Sequence, residues 1–117
     1  MANEIQINAT LRYSKTGASA SLSTSFFADQ VGDKYESGIQ TIGTAEESLQ
    51  KGDIGTIGWL AIRNLDATNF LELGSTTAQY STIIPAGKGC VTTWGHTGTF
   101  VKANTAAVNA EYLLIEA

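Results

Sequence analysis

A residue-by-residue alternation of polar and apolar side chains begins near the start of the chain and constrains its fold more than any other feature. In "EIQINATLRY", Ile5, Ile7, Ala9, Leu11 and Tyr13 fall on one side, and Glu4, Gln6, Asn8, Thr10 and Arg12 on the other. Period two is the repeat of a β-strand, whose successive side chains point to opposite faces, and here one face is wet. "SKTG" supplies a turn, and "ASASLSTSFFA" alternates in the same way, with Ala18, Ala20, Leu22, Thr24 and Phe26 on its less polar side. The two runs read as an antiparallel hairpin.

Helical periodicity is nearly absent from the rest. Gly32 and Asp33 signal a turn before a third strand, "YESGIQTIG". "TAEESLQKGD" has two readings. Thr44 with Glu47 fits a helix capping box closed by Gly52. Alternation of Glu47, Leu49 and Lys51 fits a strand, preferred because the neighbouring extended segments need partners. Next come "TIGWLAIRN" and "NFLELG", then "TAQYSTII", a break at "PAGKG", and "CVTTW", "TFVKA" and "EYLLIEA". Pro85 cannot donate to a ladder and Gly87 tolerates positive φ, which places the break. "HTG" and "NTAAVNA" read as loops. Nine or ten short strands at this spacing imply a sandwich or barrel, because an open sheet would leave edges exposed. The expected architecture is all-β: a jelly-roll-like antiparallel β-sandwich, one domain over residues 1–117.

Composition narrows the function. Hydrophobic residues make up 43% of the 117-residue chain and charged residues only 15%, against about 25% charged in an ordinary soluble domain. Ser and Thr fill the gap, as suits strand faces that are either wet or covered by other copies. The formal charge is −4 and the seven basic residues form no stripe, so nucleic acid is not an expected partner. The N-terminus lacks a basic region followed by an apolar one, and no apolar run reaches the ~18 residues of a membrane span. The expectation is a soluble protein made in the cytoplasm.

Chemistry-bearing residues are sparse. His96, in "WGHTG", is the chain's single histidine, and a base or metal ligand needs an orienting partner that its neighbours do not supply. Cys90 is the single cysteine. It excludes an internal disulfide and reads as a small buried hydrophobe in a strand. Glu46, Glu47 and Asp53 offer carboxylates without the fixed separation a glycosidase requires. "DKYESG" and "NLDATN" lack calcium-loop spacing, and "GDIGTIG" lacks the lysine and helix of a phosphate loop. Gly55 and Gly58 instead suggest a bent strand or a close backbone neighbour. Among Trp59, Trp94, Tyr80 and Phe100, which would stack on sugars if exposed, Trp94 beside the "GHTG" loop is the best placed. No catalytic, cofactor-binding or metal-ligating residue is assigned.

The densest stretch is "GWLAIRNLDATNFLELG". Asn64, Asp66, Thr68 and Asn69 have short polar side chains that bond nearby backbone and build tight turns. They read as a hairpin corner with Leu65 tucked inward and Asp66-Ala67 at the tip. Trp59, Leu60, Ile62, Phe70, Leu71 and Leu73 are the expected core around it. The consecutive apolar residues Trp59 to Ile62 suggest a strand covered on both sides.

The run "IGTAEESLQKGDIGTIGWLAIRNLDATNFLELG", with "IIPAGKG" and "KANTAAVNAEYLLIEA" after it, resembles small structural proteins of tailed bacteriophages. The likeness runs from about Ile42 onward and rests on structural motifs. It implies a virion protein with no enzymatic activity, first of all a capsid decoration or cement protein. A tail or head-fibre component is the alternative, and a carbohydrate-binding sandwich the second. It further implies the major capsid protein or another virion protein as partner, a homo-oligomer with a trimer favoured, and location in the virion. The N-terminal segment and the loops marked by Asp33, Trp94 and His96 are expected to touch a partner.

Overall fold

The computed structural model describes residues 3–117. Its contacts divide the chain into two compact units, Met1–Val31 and Gly32–Ala117. The two four-stranded sheets lie in the second unit, and the first holds the two-stranded sheet.

The first unit is one long antiparallel hairpin, β1 (Ile5–Lys15) and β2 (Ala18–Ala28). The turn is Thr16-Gly17, both with positive φ (50° and 82°), the geometry that matches the twist of a two-residue hairpin. Register pairs Ile7 with Phe26, Leu11 with Leu22 and Tyr13 with Ala20, so most apolar side chains of both strands share one face, with Phe27, opposite Gln6, on the other. The other face is a polar ladder. The Thr10 and Ser23 hydroxyls bond at 3.0 Å, and the Ser25 hydroxyl donates to Asn8 Oδ1 at 2.6 Å. Ile5 and Ile7 are buried, whereas Leu11 and Leu22 are each 76% exposed.

The second unit holds eight strands: β3 (Tyr35–Ile42), β4 (Glu47–Ser48), β5 (Ile57–Asn64), β6 (Leu71–Gly74), β7 (Thr82–Ile84), β8 (Gly89–His96), β9 (Phe100–Ala103) and β10 (Val108–Glu116). They form two four-stranded antiparallel sheets, ordered β3-β10-β5-β8 and β4-β9-β6-β7. Leu60, Ile62, Tyr112, Leu114 and Ile42 from the first sheet pack with Leu71, Leu73, Ile84, Val101 and Ala103 from the second in one core. Burying a side chain of this size contributes about 1.5–3 kcal/mol, so these residues hold the unit together without staples.

Two glycines show how tightly it closes. Any Cβ on Gly74 would lie 1.9 Å from the Gln79 carbonyl oxygen. One on Gly58, where β5 shifts register against β8, would lie 2.8 Å from Ala117 Cα. Gly58 thus has the close backbone neighbour the sequence suggested.

Several expectations need correction. The ambiguous segment forms only the two-residue β4, because the Glu47 carboxylate turns back to accept from the Gly43 N–H (3.0 Å) and Gln40 Nε2 (2.9 Å). "NTAAVNA" is not all loop, since β10 begins at Val108. The expected hairpin around the hexapeptide is a crossing between layers. β5 pairs with β10 and β8, and β6 with β9 and β7.

Candidate functional site

Asn64 closes β5 and is 1% exposed. Its amide nitrogen donates to the carbonyls of Asn69 (2.9 Å) and Ile84 (3.2 Å), and its Oδ1 accepts from the Asp66 N–H (2.9 Å). Asp66 Oδ2 in turn accepts from the N–H groups of Thr68 (2.9 Å) and Asn69 (2.6 Å). Those bonds, Asn69 first and then Thr68, hold the Asp66 carboxyl below its ordinary range. Asn69 Oδ1 accepts from the Thr105 hydroxyl at 2.8 Å. The Asn64 amide, Asp66 Oδ2 and Asn69 Oδ1 are thus all engaged with backbone or a neighbouring loop. Leu65 is 43% exposed; Asn64 takes the inward position instead, because it alone can satisfy carbonyls from two segments.

Of the expected core, Leu60, Ile62, Leu71 and Leu73 are buried, while Trp59 and Phe70 are half-buried. Trp59 and Ala61 alternate outward on β5 and are not covered from both sides. Trp94 packs partly against the core, and its indole N–H donates to the Gly98 carbonyl at 2.9 Å. That bond and burial leave its ring poorly presented for sugar stacking. His96 is exposed and meets Trp94 edge-on at 5.5 Å. Cys90 also packs against the core, and burial pushes its thiol up, which keeps it protonated and a poor nucleophile.

The acidic residues are put to separate uses. Glu46 ties down the loop before β7, accepting from the Thr77 hydroxyl, the Tyr80 hydroxyl and the Ala78 N–H. These bonds, Thr77 first, hold its carboxyl below the ordinary value, and the Glu46 bond pushes Tyr80 up to about 12. Glu47 braces Gly43, as above. Glu116 accepts from the N–H groups of Asp33 (3.2 Å) and Gly55 (3.3 Å). Asp33 itself is exposed and pairs with its neighbour Lys34 at 3.4 Å. Among the described residues, no three His, Cys, Asp or Glu side chains gather as a metal site.

The feature sequence reasoning missed is the outer face of the β3-β10-β5-β8 sheet. Cross-strand register sets Tyr35, Ile115, Trp59 and Thr93 in one row, and Ser37, Leu113, Ala61 and Val91 in the next. A third row runs Ile39, Glu111, Arg63, Gly89, with the Arg63 guanidinium paired to Glu111. Tyr35 is 70% exposed, Ile39 63%, Val91 56% and Leu113 38%. Small side chains at Ser37, Ala61 and Gly89 leave an open, shallow groove of about 540 Å³ between the larger ones. The signal was the run Tyr112-Leu113-Leu114-Ile115, apolar on both parities, which marks a strand needing cover on both faces.

No family model, no curated protein and no solved structure matches the chain.

Proposed function

We propose that this protein is a structural component of a tailed-phage virion that decorates and cements the head by covering surface at subunit junctions. The observation that carries the reading is the open apolar face built from Tyr35, Ile39, Val91 and Leu113. An exposed apolar patch of this kind marks an interaction surface. A protein present in many copies on a lattice uses such a face and needs no reaction centre. The phage-like motifs from Ile42 onward point the same way, and in the RNLDATN corner that carries them Asn64 ties the end of β5 to the Asn69 and Ile84 carbonyls.

The strand order supports reading the body as a jelly roll. Counted from β3, the first, eighth, third and sixth strands make one sheet, and the second, seventh, fourth and fifth the other.

The test is co-sedimentation of the purified protein with expanded heads and, separately, with tails, followed by immunogold labelling of intact particles. Saturable binding to heads with label over the capsid is the expected result. Label over tails would transfer the role to a tail or fibre component, and unlabelled particles would overturn the virion reading.

A further inference from the structure

We propose that the chain assembles with itself by exchanging arms: the apolar face of the β1–β2 hairpin of one copy packs onto the outer face of the β3-β10-β5-β8 sheet of a second copy. The inference does not rest on the virion reading; it makes the neighbour on this face another copy of the chain rather than a capsid subunit.

An isolated two-stranded ribbon is at best marginally stable in water, because it has one layer and nothing to bury its apolar side against. This ribbon runs eleven residues in each strand. Beyond its base it presents Leu11 and Leu22 as a cross-strand pair, each 76% exposed, followed by Tyr13 at 54% beside Ala20. The sheet face has the converse relief, with the small residues Ser37, Ala61 and Gly89 lining a groove together with the larger Leu113, Val91 and Arg63. Large side chains on one surface meet small ones on the other.

Charge selects between the possible pairings. The strands, residues 5–28, contain Arg12 and Lys15 and no carboxylate, with Glu4 and Asp29 just outside them at the ribbon's base, whereas residues 32–117 carry nine carboxylates against five Lys and Arg. Arm against arm would bring like charges together. Arm against body joins a cationic ribbon to an acidic unit, and the one ion pair on the receiving face, Arg63–Glu111, is internally neutral.

Area agrees. Eleven residues at ~3.3 Å, two strands wide, give a face of roughly 350 Å² in projection. When two copies exchange arms reciprocally, each covers roughly 700 Å² of their shared interface, near the ~800 Å² per partner of a stable one; in a larger ring each junction covers about half of that. Such a contact is heterologous and closes into a ring when its rotation permits.

Complementation between two broken chains provides the test. One chain carries Leu11→Ser and Leu22→Ser, and the other Val91→Lys and Leu113→Lys; circular dichroism and melting confirm that each body is folded. Light scattering should find the wild-type protein oligomeric and each variant monomeric. Equimolar mixing should give 1:1 dimers and nothing larger, since one intact arm then meets one intact face. If the lysine pair disturbs folding, Val91→Ser replaces it. A monomeric wild-type chain at 100 µM, a face variant that remains oligomeric, or a mixture that stays monomeric would each overturn the proposal.

Discussion

The hairpin and the body are both antiparallel β-structure, yet they are stabilised in different ways. In the body, Ile42, Leu71, Val101, Ala103, Ala110 and Leu114 are wholly shielded from solvent, so hydrogen-bonded ladders are backed by apolar burial. In the hairpin the ladder is longer than any in the body, but Leu11, Tyr13, Leu22 and Phe27 remain more than half exposed. Forming a backbone hydrogen bond exchanges a water partner for a protein one at little net gain. Pairing alone therefore sets a shape, and burial decides whether the shape persists.

The largest expected difference is in hydrogen exchange. In the monomeric Leu11→Ser, Leu22→Ser chain, amides at the centre of β10 should exchange roughly 1,000-fold more slowly than those of β1 and β2. Local opening of the ribbon costs about 1 kcal/mol, while opening of the body costs roughly 5 kcal/mol or more. Equal protection would break the comparison. Gly74→Ala comes next: its methyl would collide with the Gln79 carbonyl, and denaturant titration should find a loss of about 3 kcal/mol or more in the body. Asn64→Ala should follow at about 2–4 kcal/mol, because it strands the buried carbonyl of Ile84. Melting like wild type would show that the corner is held some other way.

Thr16→Asn tests the hairpin side. A β-branched residue at φ 50° is strained, and Asn-Gly is the favoured pair for such a turn. Hairpin amides should gain protection corresponding to about 1 kcal/mol or less, with the body unchanged.

The smallest effects are at the pH extremes and belong to the body. The Glu46 and Asp66 carboxyls are held below their ordinary values of 4.5 and 3.8. Their contribution is complete above those values and is lost as pH falls through the lower folded values. Tyr80 is raised from 10.0 to about 12, so its contribution is complete below pH 10 and disappears as pH rises towards 12. Thermal melts of Glu46→Gln should show weaker dependence on pH at both ends than wild type.

The strands were largely legible because alternation is a local property. Ile5 to Tyr13 and Ala18 to Phe26 specify their hairpin from composition and one turn. The corner was legible as a corner, since Asn64, Asp66 and Asn69 encode Asx-type turns wherever they occur. Its place between sheets was not, because the same turn chemistry serves a hairpin or a crossing and the partners of β5 and β6 lie elsewhere in sequence. Val108 to Ala110 looked like loop because Asn104 and Asn109 flank small residues. Pairing with β3, and of Ala110 with the end of β5, makes them strand. The outer sheet face was obscured for a related reason: consecutive apolar residues indicate that cover is required, without saying whether it comes from this chain or another.

The position of β10 has a kinetic consequence. It lies between β3 and β5, so the body's earliest and middle strands have no ladder in common until residues more than sixty positions beyond β3 arrive. Such long-range closure slows folding. A front portion of the body has no stable stopping point, and its assembly is correspondingly all-or-none.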